Sequence, residues 1–293
     1  MSTRAASLSV FMLAAAAVSL GAQGVPLPLE ELPLAKDIPV ASGQTVTPAY
    51  EGWYENAEDG SYYIVFGYYS RNAEAAVSIP VGPDNQVTGA PDAPTNQPTR
   101  FEPGRHWGVF AVRVPQSFDG EVVWTLKNGG RTFSIPGGLD PLWKVDAISG
   151  DAMGNHPPRI RFSENGPTGE GPFGVEAEPL RARVGEPLEI TVWGSDDGVA
   201  GALGQASSST RPFTVHWFEQ SGPGTVTFAP NESPIAVEGG SAVTTAEFSA
   251  PGDYVLRVTA NDASGVESGG HAQCCWTNGY VKVTVEDGTR RSQ

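Results

Sequence analysis

Short runs of alternating apolar and polar residues, separated by turns rich in glycine and proline, dominate the chain. In Tyr254–Ala260 and in Val281–Val285 every second side chain is apolar. Because successive side chains of a strand point to opposite faces, this period of two predicts strands that bury one face and expose the other. Apart from one N-terminal apolar run, no segment shows the spacing of an amphipathic helix. The pattern predicts an all-β protein of two tandem antiparallel β-sandwich domains.

The apolar runs fall into two groups of predicted strands. The first group is predicted at Ser61–Tyr69, Ala75–Pro80, Trp107–Val114, Glu121–Leu126 and Arg131–Ile135. The second group is predicted at Leu188–Trp193, Thr214–Glu219, Thr225–Phe228, Thr244–Phe248, Asp253–Asn261 and Tyr280–Val285. Residues 82–105 contain repeated prolines without a strand signal, so we expect a long surface loop there. Asn128-Gly129 supplies the positive φ angles of a tight hairpin turn.

The N-terminus has the order of a secretory signal peptide. Arg4 precedes the apolar run Leu8–Leu20, and the small residues Gly21 and Ala22 follow. The run is too short to cross a bilayer as a mature helix, so we expect cleavage near Gln23 and no membrane span afterwards. The predicted divisions are a signal peptide (1–22), an extended Pro-rich leader (23–45), an aromatic-rich β-sandwich (46–146), a linker (147–155), a second β-sandwich (156–287) and a tail (288–293). The expected location is secreted or periplasmic.

Several motifs in the second half of the chain occur in the same order as in a known domain family. They are Trp193–Gly198, Thr214–Trp217, Ser221–Phe228, Thr245–Leu256 and Asn261-Asp262. Over about residues 187–285 this sequence resembles the polycystic-kidney-disease (PKD) branch of the immunoglobulin-like folds. The resemblance implies that Trp217 fills the core between the two sheets. The chain departs from the family pattern by an insertion at 200–210 and by a longer segment at 263–276.

The first half of the chain resembles uncharacterised exported bacterial proteins. The resemblance rests on Glu51–Tyr54, Phe66–Asn72 and Ile79–Asn85. It implies no activity.

The formal charge of the chain argues against two classes of partner. With 18 Lys and Arg against 33 Asp and Glu, the net charge is −15 at pH 7. Such a surface repels phosphate backbones and anionic lipid headgroups, which excludes nucleic acid and anionic membrane surfaces as expected partners. The acidic residues are dispersed along the chain, which is typical of a solvated globular surface.

The sequence carries no catalytic motif that we can identify. The four histidines are His106, His156, His216 and His271, and none has the spacing of a nucleophile elbow or a metalloprotease. The carboxylates form no recognisable glycosidase pair. We therefore expect a protein that is not an enzyme.

Aromatic residues concentrate between Tyr50 and Tyr69 and give the strongest functional signal. An exposed row of Tyr and Trp could bind sugar rings or a protein partner, because such rings bury a large area with few rotamers to fix. The candidate ligand-binding residues are Trp53, Tyr54, Tyr68 and Tyr69. The alternative is that both faces of the strand are buried, one in the core and one under the loop at 82–105.

Two further features could carry chemistry. Asp196, Asp197 and Asp262, with Asn261, could supply oxygen ligands to calcium, or they could form ordinary turns. Apart from this calcium, no cofactor is expected. The adjacent Cys274 and Cys275 could form a strained bridge, remain thiols, join two chains or bind a soft metal with His271. Asn231–Ser233 matches a glycosylation sequon, which occurs often by chance.

The sequence thus favours an exported, non-catalytic interaction protein with a protein partner. A glycan-binding module that uses the aromatic face of the first domain is the second hypothesis, and a secreted hydrolase is the third.

Overall fold

The computed structural model describes residues 40–57, 59–91, 95–145, 154–200, 207–208, 210–262 and 275–288. These residues belong to one compact unit that begins at Val40. The all-β prediction is confirmed: outside a single 3₁₀ turn at Pro141–Trp143, every regular element in the described part of the chain is a strand. None of the described helical segments is long and apolar enough to cross a bilayer. The predicted signal peptide, residues 23–39 of the predicted leader, most of the linker and residues 289–293 of the predicted tail lie outside the described residues.

The first sandwich is built from two three-stranded sheets and one small two-stranded sheet. Its strands are β1 (Val46–Glu55), β2 (Tyr62–Ser70), β3 (Val77–Ser78), β4 (Asn85–Thr88), β5 (Arg100–Phe101), β6 (Gly104–Val114), β7 (Val122–Asn128) and β8 (Arg131–Gly137). The orders are β1-β2-β6, β4-β7-β8 and β3-β5. The core between the sheets contains Phe66, Phe101, Phe110 and Trp124, all fully buried. Gly129 and Gly130 have positive φ angles and close the β7–β8 hairpin, as predicted.

The predicted loop at 82–105 is wrong in part, because it contains strands β4 and β5. Asn85 is fully buried, and its Nδ2 donates to the carbonyls of Ile79 and Pro98 while its Oδ1 accepts from Trp124 Nε1 at 3.0 Å. A buried amide with all these partners ties the segment into the core. The sequence did not indicate this, because a lone Asn among prolines has the composition of an ordinary turn.

The second sandwich contains the remaining strands of the described residues. They are β9 (Arg159–Arg161), β10 (Val175–Glu176), β11 (Leu180–Arg183), β12 (Leu188–Ser195), β13 (Val199–Ala200), β14 (Ser207–Ser208), β15 (Phe213–Ser221), β16 (Val226–Ala229), β17 (Glu232–Ile235), β18 (Gly240–Phe248), β19 (Gly252–Asn261) and β20 (Trp276–Glu286). One sheet has the order β10-β20-β19-β15-β17 with β11 also on β20, the other has the order β16-β18-β12-β9, and β13 pairs with β14. Strands β10 and β11 pair parallel with β20, whereas the other strand pairs are antiparallel.

The alternating pattern places the core of the second sandwich as predicted. The inward residues of β19 are Tyr254, Leu256, Val258 and Ala260, and those of β20 are Val281, Val283 and Val285. Trp217 is also buried in this core, in agreement with the role that the resemblance implied. The opposite face of the same sheet is exposed at Lys282 and Thr284, as the pattern suggested. It is buried at Arg257, Thr259 and Asn278, where it packs against the first sandwich.

Candidate functional site

The two sandwiches meet along a β-bulge in β6. Phe66 pairs with Phe110 and Tyr68 pairs with His106, so that β6 places extra residues opposite Gly67. A bulge redirects the backbone groups of its strand out of the sheet. Gly108, at φ +47°, lies in this bulge. The bulge therefore presents backbone carbonyls to the second sandwich.

Side chains on the outer face of β15 and β20 bind these carbonyls. Asn278 is fully buried, and its Nδ2 donates to Gly108 O at 2.6 Å and to Pro172 O at 2.8 Å. Gln220 Nε2 donates to Val109 O at 3.0 Å, and Tyr280 Oη donates to the same oxygen at 3.2 Å. The junction is thus held by directional hydrogen bonds in a buried environment, where an unmade bond is costly.

Arg257 on β19 lies at the centre of this junction and is 4% exposed. Its Nε donates to Gln220 Oε1 at 2.9 Å, and its Nη1 donates to Thr259 Oγ1 and to Asn278 Oδ1. The guanidinium also lies over the ring of Phe218, 4.4 Å from its centroid. Burial lowers the pKa of Arg257, and within the described part of the chain no carboxylate forms an ion pair with it. Neutral amide, hydroxyl and aromatic groups therefore solvate this cation.

An apolar cluster completes the junction. Trp276, at the start of β20, is 1% exposed and packs with Tyr54, Val65 and Val145 of the first sandwich. Gly108 lies against the indole of Trp276, where no side chain would fit. Close approach of a ring to the backbone explains why this position of β6 is a glycine.

A groove of about 680 Å³ opens at one side of this junction. The first sandwich contributes Tyr54, Glu55 and Tyr63 to its lining, and the second contributes Arg159, Arg161 and Phe173. The volume is in the range of sites for small organic ligands. Both sandwiches are needed to form the groove.

One wall of the groove is an aromatic stack shared by the two sandwiches. The rings of Tyr63 and Phe173 lie 4.3 Å apart at 21°, and Tyr54 is tilted against Tyr63 at 5.0 Å. Tyr54 Oη accepts a hydrogen bond from the backbone N–H of Phe173 at 2.9 Å. Asn56 Nδ2 donates to Tyr63 Oη at 3.1 Å. Phe173 is 38% exposed, so that part of this fixed stack faces solvent.

The four aromatic residues predicted to bind a ligand do not form one exposed surface. Trp53 (9% exposed) and Tyr68 (2%) belong to the core of the first sandwich, and Tyr54 (5%) lies in the junction. Only Tyr69 is exposed among them, at 45%, with the guanidinium of Arg71 5.6 Å from its ring centroid. The sequence left open what would cover the outer face of these strands. The second sandwich covers this face at Tyr54 and Tyr63. The sequence had suggested the segment at 82–105 as the cover.

The carboxylates predicted to bind calcium do lie near one another. Burial raises the pKa of Asp196 to about 6. The negative charge of Asp262 contributes to this shift, and that of Asp197 contributes less. Asp197 Oδ2 accepts from the backbone N–H of His156 at 3.0 Å, and Asp262 Oδ2 accepts from Asn155 at 2.7 Å. Asp196 and Asp197 also accept from backbone N–H groups two residues on, as turn residues do. In the described part of the chain no group of three or more His, Cys, Asp or Glu is arranged to hold a metal. The calcium site stays a prediction.

Of the two adjacent cysteines, only Cys275 belongs to the described residues. Cys275 is fully buried, with its Sγ 3.7 Å from Asn155 O. Cys274 and His271 lie outside the described residues, so the predicted bridge stays a prediction. Asn231, in the sequon, is exposed and contacts His216 Nε2 at 2.8 Å.

A second cleft, of about 480 Å³, is lined by two side chains that could take part in acid–base chemistry, Glu219 and His216. Burial raises the pKa of Glu219 to about 7, and His216 lies in the same cleft. Glu219 Oε2 already accepts from Val226 N at 3.1 Å and lies 3.6 Å from Arg100 Nε. The carboxylate is thus held by structural partners. Glu219 could not be identified from the sequence, because it lies at an inward position of β15, where a carboxylate is not expected.

An exposed apolar turn follows the last strand of the first sandwich. Leu142 and Trp143, in the 3₁₀ turn, are 76% and 50% exposed. Asp140 caps the turn by accepting from Leu142 N at 2.9 Å, and its carbonyl accepts from Trp53 Nε1 at 2.8 Å. Val145 N donates to Trp53 O at 2.8 Å, which fixes the segment along β1. This turn was not predicted, although Asp140-Pro141 followed by two large apolar residues outside any predicted strand indicates an exposed apolar turn.

Comparisons with known proteins give no family assignment. No family model and no curated protein matches the chain. Two solved structures of intimin are similar: the D00–D0 domain, with 13% identity over 82% of this chain and 100% of that chain at a TM-score of 0.26, and the D0–D1 domain, with 10% identity over 82% and 97% at a TM-score of 0.24. A likeness this low fixes neither the family nor the partner. The PKD type stays a prediction.

Proposed function

We propose that the chain is an exported, non-catalytic interaction protein that binds a protein partner at the cell surface or in the periplasm. The observation that carries this proposal is the exposed pair Leu142 and Trp143 on a turn tied to the core of the first sandwich. Large aromatic side chains held in place are the residues that contribute most to protein–protein binding. A flexible loop would lose more entropy on binding than this capped turn.

The location rests on the N-terminal sequence. Arg4, the apolar run Leu8–Leu20 and the small residues after it have the order of a signal peptide. Cell fractionation, followed by N-terminal sequencing of the mature protein, tests this part of the proposal. A mature N-terminus near Gln23 supports export, and an intact Met1 in the cytoplasmic fraction contradicts it.

The non-catalytic part of the proposal rests on how Glu219 is held. The Glu219 side chain is 5% exposed, accepts from Val226 N and faces Arg100, so it would have to leave these partners to reach a substrate. A broad hydrolase screen of the purified protein, run beside the Glu219→Gln variant, is the test. Turnover by the wild type that this variant abolishes would show that the protein is an enzyme.

Site-specific photo-crosslinking tests the partner. A photoreactive amino acid is placed at Leu142 in the protein expressed in its native host, and a matched variant carries it at Val243, which is 44% exposed on the second sandwich. We expect a discrete adduct with a second protein from position 142 only, and we expect Trp143→Ala to weaken it. No adduct at position 142, or the same adducts from both positions, would contradict the proposal.

A further inference from the structure

The groove between the sandwiches is lined by aromatic and charged side chains, as small-molecule binding sites are. Its aromatic wall, Tyr63 and Phe173, is fixed by ring stacking and by the hydrogen bond from Phe173 N to Tyr54. The exposed part of Phe173 offers an apolar face to a ligand in the groove. Flat apolar rings of this kind pack against the C–H faces of sugar rings.

Two arginines form the polar side of the groove. Arg159 and Arg161 are two residues apart on β9 and therefore point to the same side of that strand. Arg159 Nε donates to Glu170 Oε2 at 2.9 Å, and Arg161 Nε donates to Glu164 O at 2.9 Å. Both guanidinium groups are held through Nε, which fixes their planes. Each guanidinium carries four more N–H donors.

The charges around the groove are balanced. Glu55 and Glu170 line it together with Arg159 and Arg161, in a chain whose net charge is −15. A strongly anionic ligand would meet the two carboxylates, and a cationic ligand would meet the two guanidinium groups. Sugar hydroxyl groups, which both donate and accept, match a lining of mixed donors and acceptors.

The edge of β9 argues against an extended peptide as the occupant. Peptides commonly bind by adding a strand to an open sheet edge. Here Ile160 N donates to Gly169 O at 3.1 Å, and Gly169 N donates to Ile160 O at 2.9 Å. The edge of β9 is therefore already paired at its centre.

From these observations we infer that the groove binds a short oligosaccharide, with Phe173 stacked on one sugar ring and Arg159 and Arg161 bound to its hydroxyl groups. The site needs both sandwiches and is separate from the Leu142–Trp143 turn of the proposed function. It also differs from the four-residue aromatic platform considered from the sequence.

An oligosaccharide array that includes neutral and uronic-acid-containing chains, probed with the full secreted protein, tests this inference. We expect binding to a defined set of oligosaccharides, weakened at least about fivefold by Phe173→Ala through loss of the ring contact. Arg161→Gln, which removes the guanidinium beside the groove together with its bond to Glu164 O, is expected to weaken it as well. Tyr69→Ala, which removes an exposed ring outside the groove, is the matched control and is expected to bind as the wild type does.

Three outcomes would overturn the inference. They are the absence of any bound oligosaccharide, binding that Phe173→Ala and Arg161→Gln leave unchanged, and binding of displayed peptides that competes at the same residues. A Leu142→Ala/Trp143→Ala double variant separates the two proposals, because it is expected to lose the protein adduct and to keep the oligosaccharide.

Discussion

A single methyl group at Gly108 should disrupt the junction between the sandwiches. A Cβ built at this position would lie 2.7 Å from Cε2 of Trp276, closer than real side chains approach. Trp276 is 1% exposed and packed between the sandwiches, so its ring has no free space to move into. Gly104, in the same strand, also has a positive φ angle, but a Cβ there would contact nothing within 4 Å. The pair Gly108→Ala and Gly104→Ala therefore separates the clash from the backbone strain.

The expected magnitudes differ between the two variants. An alanine held at positive φ costs roughly 1–2 kcal/mol relative to glycine, and this cost applies to both positions. Overpacking a buried site adds about 1–3 kcal/mol, and this cost applies to Gly108 alone. We therefore expect Gly108→Ala to lower the free energy of unfolding by about 2–5 kcal/mol and Gly104→Ala by about 1–2 kcal/mol.

Equilibrium denaturation followed by tryptophan fluorescence measures both values. Because the clash is at the junction, Gly108→Ala should also make the protein more sensitive to limited proteolysis between the sandwiches. Equal losses of stability in the two variants would refute the reasoning, since the strain alone would then account for both.

Three further predictions concern polar groups. Asn278→Ala leaves the carbonyls of Gly108 and Pro172 unpaired and should cost about 2–4 kcal/mol in denaturation. Thr284→Ala, farther along the same face of β20 where that face is exposed, should cost less than about 0.5 kcal/mol. Burial lowers the pKa of His106 to about 4, so the unfolded chain binds more protons than the folded protein between about pH 6.5 and 4. The free energy of unfolding therefore falls as the pH drops through that window. His106→Gln should flatten this part of the stability–pH curve, and an unchanged slope would contradict the prediction. Burial and the charge of Asp262 raise the pKa of Asp196, so the contribution of this residue to stability is lost as the pH rises from about 4 through 6. Asp196→Asn should therefore raise the melting temperature at pH 8 relative to the wild type. A stabilisation by calcium that only the wild type shows would support the metal site instead.

The sequence predicted the parts of the fold that depend on alternation. Strand β19 begins and ends within one residue of the prediction, and β20 ends within one residue of it but begins four residues earlier, at Trp276. The inward side chains of both strands are those of the period-two pattern. Hydrophobic burial is a local signal, because it is repeated along one strand. The short strands β4, β5, β9 and β10 were missed, since two to four residues are too few to show a period.

The junction and the groove could not be predicted in the same way. Arg257, Thr259 and Asn278 lie at outward positions of their strands, where polar residues indicate contact with solvent. In the structure these residues are buried by another sandwich. Pairing of two distant surfaces depends on the shape of the bulge at Gly108, for which a glycine inside a strand was the only local signal.

The central claim is that both sandwiches fold as one unit through the buried contacts of Arg257, Asn278 and Trp276. Hydrogen exchange with mass spectrometry, measured along a denaturant series, tests it most directly by following peptides from β6 and β19 separately. The account predicts that both peptides lose protection at the same denaturant concentration in the wild type, and at different concentrations in Gly108→Ala. Loss of protection in two separate transitions in the wild type would contradict it.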